Sequence, residues 1–441
     1  MMQEERRPYR EEKEQIKLLT DYFRSGFKKP EDRLLGVEVE YFLTREDTME
    51  RVFYEGDPGV KQVLEDLVAQ GYEPVRPEGA LIGAVGKDCA ISIEPGAQFE
   101  LSVSPQPTVE TLCKTLWKCL QEIDSMVRKR GLCMVAIGID PLNEMDKVPM
   151  IPKDRYRIMN EKMSKKAGHT KAMMRLSCAL QISMDVESEE DFIRKYRVLT
   201  ALSPILYTLF DSAPYFQGEK VKNFNLRQQV WRDTDSDRCG LIPGTFDADF
   251  GLEAYAKWLL TVPVLFLPDA QGQDHETEET LGQALARAES EEEARRWMEH
   301  GISIVFPDIR MKKLLEIRQM DEVPPELTFG AIALLKGLLY DAEVLNRLSA
   351  CFREISLDIV ERGKDSGRDH GIQGYYFSDY FAHWGLRLLD LAKEGLDREE
   401  AKYLEPLERL WSQLDTPRIC LERAIEEQGW EEGLRTRIVN R

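Results

Sequence analysis

The chain has 441 residues, of which 42% are hydrophobic, and this is enough apolar material to bury one large α+β body or two lobes. Its formal net charge of −19 argues against a nucleic-acid partner, because phosphate binding requires a basic surface. The N-terminus is charged, and the longest apolar run, WLLTVPVLFLP, is too short to span a bilayer. The sequence therefore predicts a cytoplasmic protein without a membrane partner.

The eight cysteines are scattered along the chain without a CxxC pair, and the five histidines do not cluster with them. This spacing fits neither a disulfide framework nor a zinc site. We therefore expect reduced thiols.

In chain order, the hydrophobic periodicity alternates between the spacing of a helix and that of a strand. An amphipathic helix is predicted over 9–28, and the segment EDRLLGVEVEYFL then switches to period two, with Glu38 and Glu40 opposite an apolar face. The stretch ISIEPGAQFELSVSP alternates in the same way on both sides of a Pro-Gly turn. Further predicted elements are helices over 59–72 and 107–131 and strands over 132–140 and 176–185.

The second half of the chain is predominantly helical in pattern. The segment SEEDFIRKYRVLTALSPILYTLF begins with a capping-box pattern from Ser188 to Asp191 and predicts a long helix interrupted near Pro204. The acidic run at 289–293 is typical of a solvated helix face. Residues 326–441 have helical spacing almost throughout.

The chain contains no internal repeat and no low-complexity linker that marks a boundary. We expect an N-terminal helical segment (1–32), one catalytic body (33–335) and a helical C-terminal portion packed on it (336–441).

Three of the strand segments carry polar side chains in phase: Glu38 and Glu40; Glu94, Gln98 and Glu100; and Gln181, Ser183 and Asp185. Each set alone is typical of the solvated face of an antiparallel sheet. If the segments are neighbours in one sheet, the four glutamates share a concave surface and repel each other unless divalent cations neutralise them. Oxygen ligands without His or Cys favour Mg²⁺ or Mn²⁺ and a phosphate-bearing substrate. The acidic face therefore favours a nucleotide site.

A set of arginines complements this face: Arg155 in KDRYRIM, Arg227 and Arg238 on either side of Trp231, and Arg318 two residues after Glu316. Arginine suits bidentate contacts with carboxylate or phosphoryl oxygens. Each arginine alone is typical of a surface ion pair. The Glu-x-Arg alternation, however, would direct a metal ligand and a cation to the same place.

These segments belong to a series of motifs that occur in order: GVEVEYFL, EPGAQFELS, IPKDRYRIM, LSCALQISMD, RQQVWRDTDSDRCGLIP, FPDIRMKKLLEIRQMD and GLLYD. The chain resembles the glutamate–cysteine ligase family of plant and proteobacterial type, over about residues 33–345 and more loosely to the C-terminus. The resemblance implies an α+β fold like the catalytic part of glutamine synthetase. In that fold a curved antiparallel sheet forms an active-site funnel, flanked by helices and followed by a helical C-terminal portion.

The resemblance also implies a ligase that uses ATP to join the γ-carboxylate of L-glutamate to the amine of L-cysteine through a γ-glutamyl phosphate, the first step of glutathione biosynthesis. It implies Mg²⁺ or Mn²⁺ ligands at Glu38, Glu40, Glu94, Glu100 and Glu316. It implies catalytic residues at Arg318 and Arg238, substrate-binding residues at Arg155, Arg227 and Trp231, and nucleotide-binding residues at Gln181 and Ser183. We expect a monomer or a homodimer.

This chain departs from the family pattern at two positions that bear on the site. Ala97 stands where the family commonly has Gly, a small change if its φ is negative but a loss of stability if the turn requires a positive φ. Ser183 stands where the family commonly has Asn, and a hydroxyl keeps one hydrogen bond without the geometry of the amide. The departures concern the pocket for nucleotide or amine more than the activation chemistry.

Two alternatives remain open at this point. The first is the same ligase chemistry with a different amine acceptor, which a phosphate-release assay across amino acids would separate. The second is a metal-binding or regulatory pseudoenzyme, which failure to bind ATP with Mg²⁺ would favour.

Overall fold

A sheet of nine antiparallel strands lies at the centre of the structure, a computed structural model that describes residues 9–440. Nine strands form this sheet: β1 (Leu35–Arg45), β2 (Glu73–Val75), β3 (Gly83–Val85), β4 (Cys89–Ile93), β5 (Phe99–Gln106), β6 (Leu132–Val135), β7 (Leu180–Met184), β14 (Ile309–Met311) and β15 (Leu315–Ile317). Eight short strands of the described residues form separate pairs: β8 (Tyr215–Phe216) with β9 (Glu219–Lys220), β10 (Cys239–Gly240) with β13 (Phe306–Pro307), β11 (Phe266–Pro268) with β12 (Asp274–Glu276), and β16 (Tyr375–Tyr376) with β17 (Asp379–Tyr380). The sheet has the order β14-β15-β7-β1-β5-β4-β3-β2, and β6 pairs with the end of β1 beyond β7.

Helices surround this sheet and make up most of the C-terminal quarter. They are α1 (Glu12–Arg24), α2 (Val60–Ala69), α3 (Val109–Lys129), α4 (Asp154–Met163), α5 (Thr170–Leu176), α6 (Glu189–Leu209), α7 (Leu226–Arg232), α8 (Leu252–Thr261), α9 (Leu281–Arg287), α10 (Glu291–Ser303), α11 (Pro325–Leu339), α12 (Ala342–Cys351), α13 (Leu357–His370), α14 (Phe381–Glu394), α15 (Arg398–Ala401), α16 (Glu405–Ser412), α17 (Pro417–Gln428) and α18 (Trp430–Arg435). Short 3₁₀ helices occur at Pro30–Asp32, Pro77–Gly79, Gly371–Gln373 and Lys402–Leu404. No helix of the described residues is both long and apolar enough to cross a membrane.

The register of the sheet collects the polar positions on one face. Glu38 of β1 pairs with Ser102 of β5 on one side and with Gln181 of β7 on the other. Glu40 pairs directly with Glu100 of β5. Because paired residues project to the same side of a sheet, these side chains share a surface. The predicted proximity of the three polar strand segments is therefore confirmed.

The opposite face of β1 is apolar and packs on the core. Leu35, Val37, Val39 and Tyr41 are almost fully buried, and helices α3 and α11 pack against this strand. Helix α3 begins at Thr108, whose side chain accepts a hydrogen bond from Thr111 N at 3.1 Å. The strict alternation of β1 thus separates a packed face from a face that carries polar groups.

The predicted interruption of α6 near Pro204 is wrong, because the helix continues through this residue to Leu209. A proline in a helix interior removes one backbone hydrogen bond and costs about 3 kcal/mol. All residues from 198 to 209 are buried, so packing on every side offsets this cost. The long helix therefore passes through the core in one piece.

The C-terminal helices pack on the rest of the chain without an evident gap. Helix α11 runs across the predicted boundary at residue 335, α13 packs on α6, and α14 packs on both α6 and α11. The last described residues return to the sheet, where Ile438 forms a bridge with Val135 and Val439 N donates to Met134 O at 3.0 Å. The proposed division at residues 32 and 335 stays a prediction.

Helices α11 and α14 approach each other closely at Gly337, and this contact can be tested. A Cβ on Gly337 would overlap the carbonyl oxygen of Ala392 and lie 2.8 Å from its Cα. We expect Gly337→Ala to destabilise the protein by about 1–3 kcal/mol, since overpacking against backbone outweighs the gain in helix propensity of about 1 kcal/mol. Thermal unfolding should show a lower Tm.

Gly168→Ala provides the control, since the nearest atom to its new Cβ is the Asp233 Oδ2 at 3.4 Å. We expect the Tm of Gly168→Ala to stay close to that of the wild type. An unchanged or higher Tm for Gly337→Ala would show that the two helices can move apart without cost.

Candidate active site

A cavity of about 360 Å³ opens on the polar face of the sheet. Its acidic lining comes from β1, β5 and the turn before β5, namely Glu38, Glu40, Glu94 and Glu100. Its basic lining comes from the start of α4, from α7, and from the β14–β15 hairpin with the residue after it, namely Lys153, Arg155, Arg227, Arg310, Lys312 and Arg318. Most of the predicted site residues therefore meet in one place.

The acidic side carries carboxyl groups that are not neutralised. Burial, and then repulsion from Glu94, raises the pKa of Glu40 to about 8. Burial raises the pKa of Glu100 well above its ordinary value, with Glu94 adding to the effect. Burial and then Glu316 raise the pKa of Glu38 as well. At these three carboxyl groups, burial and mutual repulsion therefore outweigh the cations on the basic side.

Glu316 has the opposite surroundings. Its carboxylate accepts from Arg310 at 2.7 and 3.0 Å, from Lys312 at 2.6 Å and from Arg318 at 3.0 Å. Although burial acts to raise it, Arg310, Arg318 and Lys312 hold the pKa of Glu316 well below its ordinary value. Glu316 is itself 1% exposed and lies behind the three cations that face the cavity.

Arg318 connects the two sides of the site. Its guanidinium donates to Gln181 Oε1 and to Glu316, and Gln181 Nε2 donates in turn to Glu40 Oε1 at 3.0 Å. The second oxygen of Glu40 accepts from Ala179 N at 2.9 Å. This chain of hydrogen bonds holds a cation beside the acidic wall. Gln181 lines the cavity, and its nucleotide-binding role stays a prediction.

The Pro-Gly turn between Glu94 and Glu100 is held by its own side chains and backbone. Glu94 N donates to Gln98 O at 2.9 Å, and Gln98 Nε2 donates to the carbonyls of Met174 and Ser177. Ala97 has a φ of 68°, which an L residue adopts at a cost of about 1–2 kcal/mol. The turn therefore requires a positive φ at this position. Alanine in place of the family's glycine thus lowers the stability of the turn.

The proposed substrate-binding residues line the basic side. Arg155 Nη2 donates to Ser303 Oγ at 3.1 Å, and Arg227 makes long contacts, of 3.3 and 3.4 Å, to the carbonyls of Arg318 and Gln319. The Trp231 ring centroid lies 5.8 Å from the Cζ atoms of both Arg227 and Arg318. Their positions agree with substrate contact, and the individual roles stay predictions.

Arg238 and Ser183 are not brought into the cavity lining. Arg238 is fully buried and donates to Asp235 at 2.8 Å and to the carbonyls of Ile304 and Pro263 at 3.0 and 2.9 Å. These hydrogen bonds use all three guanidinium nitrogens. Arg238 therefore ties the segments around Asp235, Pro263 and Ile304 together. Ser183 pairs with Gly36 and Glu316 in the sheet. The catalytic role of Arg238 and the nucleotide contact of Ser183 remain untested.

Among the lining residues that the sequence did not indicate are three cations and a tyrosine: Lys153, Arg310, Lys312 and Tyr156. The Tyr156 hydroxyl lies 3.3 Å from Glu94 Oε1, and burial lowers the pKa of Lys153. Arg310 pairs with Glu316 in the β14–β15 hairpin. The alternation of Arg310, Lys312, Glu316 and Arg318 along FPDIRMKKLLEIRQMD could have indicated the hairpin face.

The carboxylates of the acidic wall are the predicted ligands of Mg²⁺ or Mn²⁺. Within residues 9–440, no three acidic, histidine or cysteine side chains are close enough together, as they stand, to hold a metal ion. The donor set itself fits Mg²⁺ or Mn²⁺, since it consists of carboxylate oxygens without nitrogen or sulfur ligands.

An antiparallel sheet with carboxylates on one side of a cavity and guanidinium groups on the other defines a site for small anionic molecules. The comparisons with known proteins give the class. Residues 34–439 match the family model of glutamate-cysteine ligase family 2, and the chain belongs to this family.

Plant proteins are among the relatives. The chain is 30% identical over 409 residues to the chloroplastic glutamate–cysteine ligase B of Oryza sativa subsp. japonica, covering 90% of this chain and 82% of that one. It is also 30% identical over 404 residues to the chloroplastic glutamate–cysteine ligase of Arabidopsis thaliana, covering 89% and 76%. The fold is shared with a Francisella tularensis glutamate–cysteine ligase in complex with AMP, at 13% identity, a TM-score of 0.59 and coverage of 93% and 88%. The predicted family and fold class are confirmed.

The contrast between Glu100 and Glu316 gives a prediction for the protein in EDTA. Glu100→Gln should leave Tm equal to or above wild type, because it removes a buried carboxyl group that resists ionisation. Because the pKa of Glu100 is raised on folding, its carboxyl group destabilises the folded wild-type protein increasingly as pH rises above the pKa of the unfolded state, about 4.5. The increase in Tm of Glu100→Gln over wild type should therefore be larger at pH 8 than at pH 6. Thermal unfolding at the two pH values measures this difference.

Glu316→Gln is the matched variant and should lower Tm at both pH values. Breaking a buried ion-paired cluster from one side costs about 3–5 kcal/mol, because three cations lose their carboxylate. Equal effects of the two substitutions would contradict the charge distribution described for the cavity.

Proposed function

We propose that this protein is an ATP-dependent glutamate–cysteine ligase that forms γ-glutamylcysteine through a γ-glutamyl phosphate, the first step of glutathione biosynthesis. Membership of the family and the two plant relatives support the activity. The observation in the structure that carries the proposal is the position of Arg318. This guanidinium lies between the basic cluster at Glu316 and the acidic wall at Glu40, where a phosphoryl group and a carboxylate would meet.

The chemistry requires a carboxylate to become electrophilic. The γ-carboxylate oxygen of glutamate attacks the terminal phosphorus of ATP and ADP leaves; the amine nitrogen then attacks the acyl carbon and phosphate leaves. Catalysis of such a transfer consists mainly of positioning and charge stabilisation. Arg310, Lys312 and Arg318 supply positive charge at the cavity without reorganisation, because Glu316 already holds them in place.

A bound divalent cation would complete the acidic side. Glu38, Glu40, Glu94 and Glu100 are the residues proposed to hold Mg²⁺ or Mn²⁺, with Glu316 available only if its cations move. Such an ion would offset the repulsion between these carboxylates and the phosphates of ATP. The complex of the Francisella tularensis enzyme with AMP supports a nucleotide as a ligand. The cytoplasmic location and the choice between monomer and homodimer remain predictions.

The alternative within the same chemistry is a ligase that joins glutamate to a different amine. Incubation with ATP, Mg²⁺, glutamate and a panel of amines, followed by mass spectrometry of the products, decides both the activity and the acceptor. We expect γ-glutamylcysteine as the main product. A different γ-glutamyl amide would establish the alternative, and the absence of any product would overturn the proposed activity.

Arg318→Lys tests the chemical step. Arg318 should contact the phosphoryl group as charge redistributes, so its loss should appear in kcat. We expect kcat to fall by about 10²-fold or more, as on removal of one preorganised donor, with modest changes in KM. Steady-state kinetics measure this, and the exposed Arg347→Lys, whose partner is Glu394, is the control. A folded Arg318→Lys protein with normal kcat would remove Arg318 from the mechanism.

Arg155→Lys tests the proposed contact with glutamate. Loss of a bidentate contact to a carboxylate costs on the order of 1–3 kcal/mol, so the KM for glutamate should rise about tenfold or more. The KM for ATP should change much less. An equally large change in the KM for ATP would place Arg155 in the nucleotide site.

A further inference from the structure

A second cavity of about 210 Å³ adjoins the first. The two share four wall residues, Arg227, Trp231, Phe306 and Arg318, so a molecule in the second cavity can reach the surroundings of Arg318. Pockets for drug-sized ligands occupy about 300–1,000 Å³. The second cavity therefore suits a small group better than a nucleotide.

The charges around this cavity favour an anion. Its basic lining residues are Arg227, Arg232, Arg318 and Lys364, whereas its acidic lining residues are Asp308 and Glu361. Asp308 is already engaged, with Lys364 Nζ at 2.6 Å from its Oδ2 and the Tyr207 hydroxyl donating to its Oδ1 at 2.9 Å. A second, longer ion pair joins Lys364 Nζ to Glu361 Oε1 at 3.8 Å. The ammonium has three N–H donors, so one remains for a ligand beyond these two ion pairs.

Buried donors without acceptors line the same cavity. Within residues 9–440, Arg227 Nε, Gln228 Nε2 and Trp231 Nε1 are buried and have no hydrogen-bond partner. All three residues belong to α7 and line the second cavity. A buried N–H group is normally paired, and these groups can only donate. Their arrangement calls for a ligand that accepts hydrogen bonds.

We infer that Gln228 and Lys364 bind the carboxylate of an amino-acid substrate in the second cavity, with the reacting group of the same molecule beside Arg318. This inference rests on the proposed ligase function. The carboxylate belongs to glutamate or to the acceptor amino acid, since both substrates carry one, and the two sources are distinguished by which substrate responds to the substitutions below. Lys364 places α13, in the C-terminal portion, among the substrate-binding elements.

Gln228→Leu is the first test, because a structural role and a binding role predict different results. The substitution removes a buried donor that has no acceptor, so Tm should not fall. The KM for either glutamate or the acceptor should rise at least tenfold, while the KM for ATP stays within about twofold. Gln121→Leu in helix α3 is the control, since Gln121 lines neither cavity, and it should leave all three KM values unchanged.

Lys364→Met is the second test, with Lys336→Met as its matched control. Lys336 also forms an ion pair in the C-terminal half, with Glu400 at 2.6 Å, but lies outside both cavities. Lys364→Met should raise the KM of the same substrate as Gln228→Leu, and Lys336→Met should not. If Lys364→Met does not fold, Gln228→Leu decides alone.

The outcomes separate this inference from the proposed function. If wild type forms the dipeptide but folded Gln228→Leu keeps all KM values, the inference is overturned and the ligase activity stands. If wild type forms no product, calorimetric titration of glutamate and of cysteine into wild type and Gln228→Leu decides instead. Binding that is weakened at least tenfold in the variant supports the carboxylate site; equal binding, or no binding to wild type, overturns it.

Discussion

The carboxylate of Glu316 pairs with Arg310, Lys312 and Arg318, and the basic side of the cavity depends on this one buried cluster. Three long cationic side chains would otherwise be free to extend into solvent in many rotamers. Their common partner, itself almost inaccessible to solvent, holds their charged ends in one place. The site therefore has a preorganised electrostatic surface before any substrate arrives, which is the form of catalysis that phosphoryl transfer most requires.

The acidic side is built on the opposite principle. Glu40 and Glu100 are cross-strand neighbours, and they lie on the same sheet face as Glu38. Glu40 is connected to a cation through Gln181, which accepts from Arg318. A strand pairing that places like charges side by side is unfavourable for the sheet alone. That it occurs beside a preorganised basic cluster indicates a surface maintained for ligands rather than for stability.

The helical C-terminal portion contributes more than support. Helix α13 supplies Lys364 and Glu361 to the second cavity, and Lys364 reaches back to Asp308 immediately before β14. The carbonyl of Asp308 accepts from Arg318 N at 3.1 Å, so one residue links α13 to the arginine in the centre of the site. The C-terminal helix α13 thus shares in the second cavity, whereas the first cavity is lined by residues of the catalytic body alone.

The sequence by itself determined which side chains share a sheet face and to which family the chain belongs. Period-two alternation is a local property of an extended backbone, so the common face of Glu38 and Glu40 could be read from GVEVEYFL. Only the tertiary structure decided the partners of the long side chains. Arg238 was predicted as a catalytic residue from its place in the sequence, and it is buried with its guanidinium donating to the carbonyls of Ile304 and Pro263. Lys364 lies in RGKDSGRDHGIQG, a segment whose sequence pattern indicated no site. Alternation determines to which side of the strand a side chain points. The partner of a long side chain, however, depends on contacts between segments that are far apart in the sequence, and local spacing does not encode these contacts.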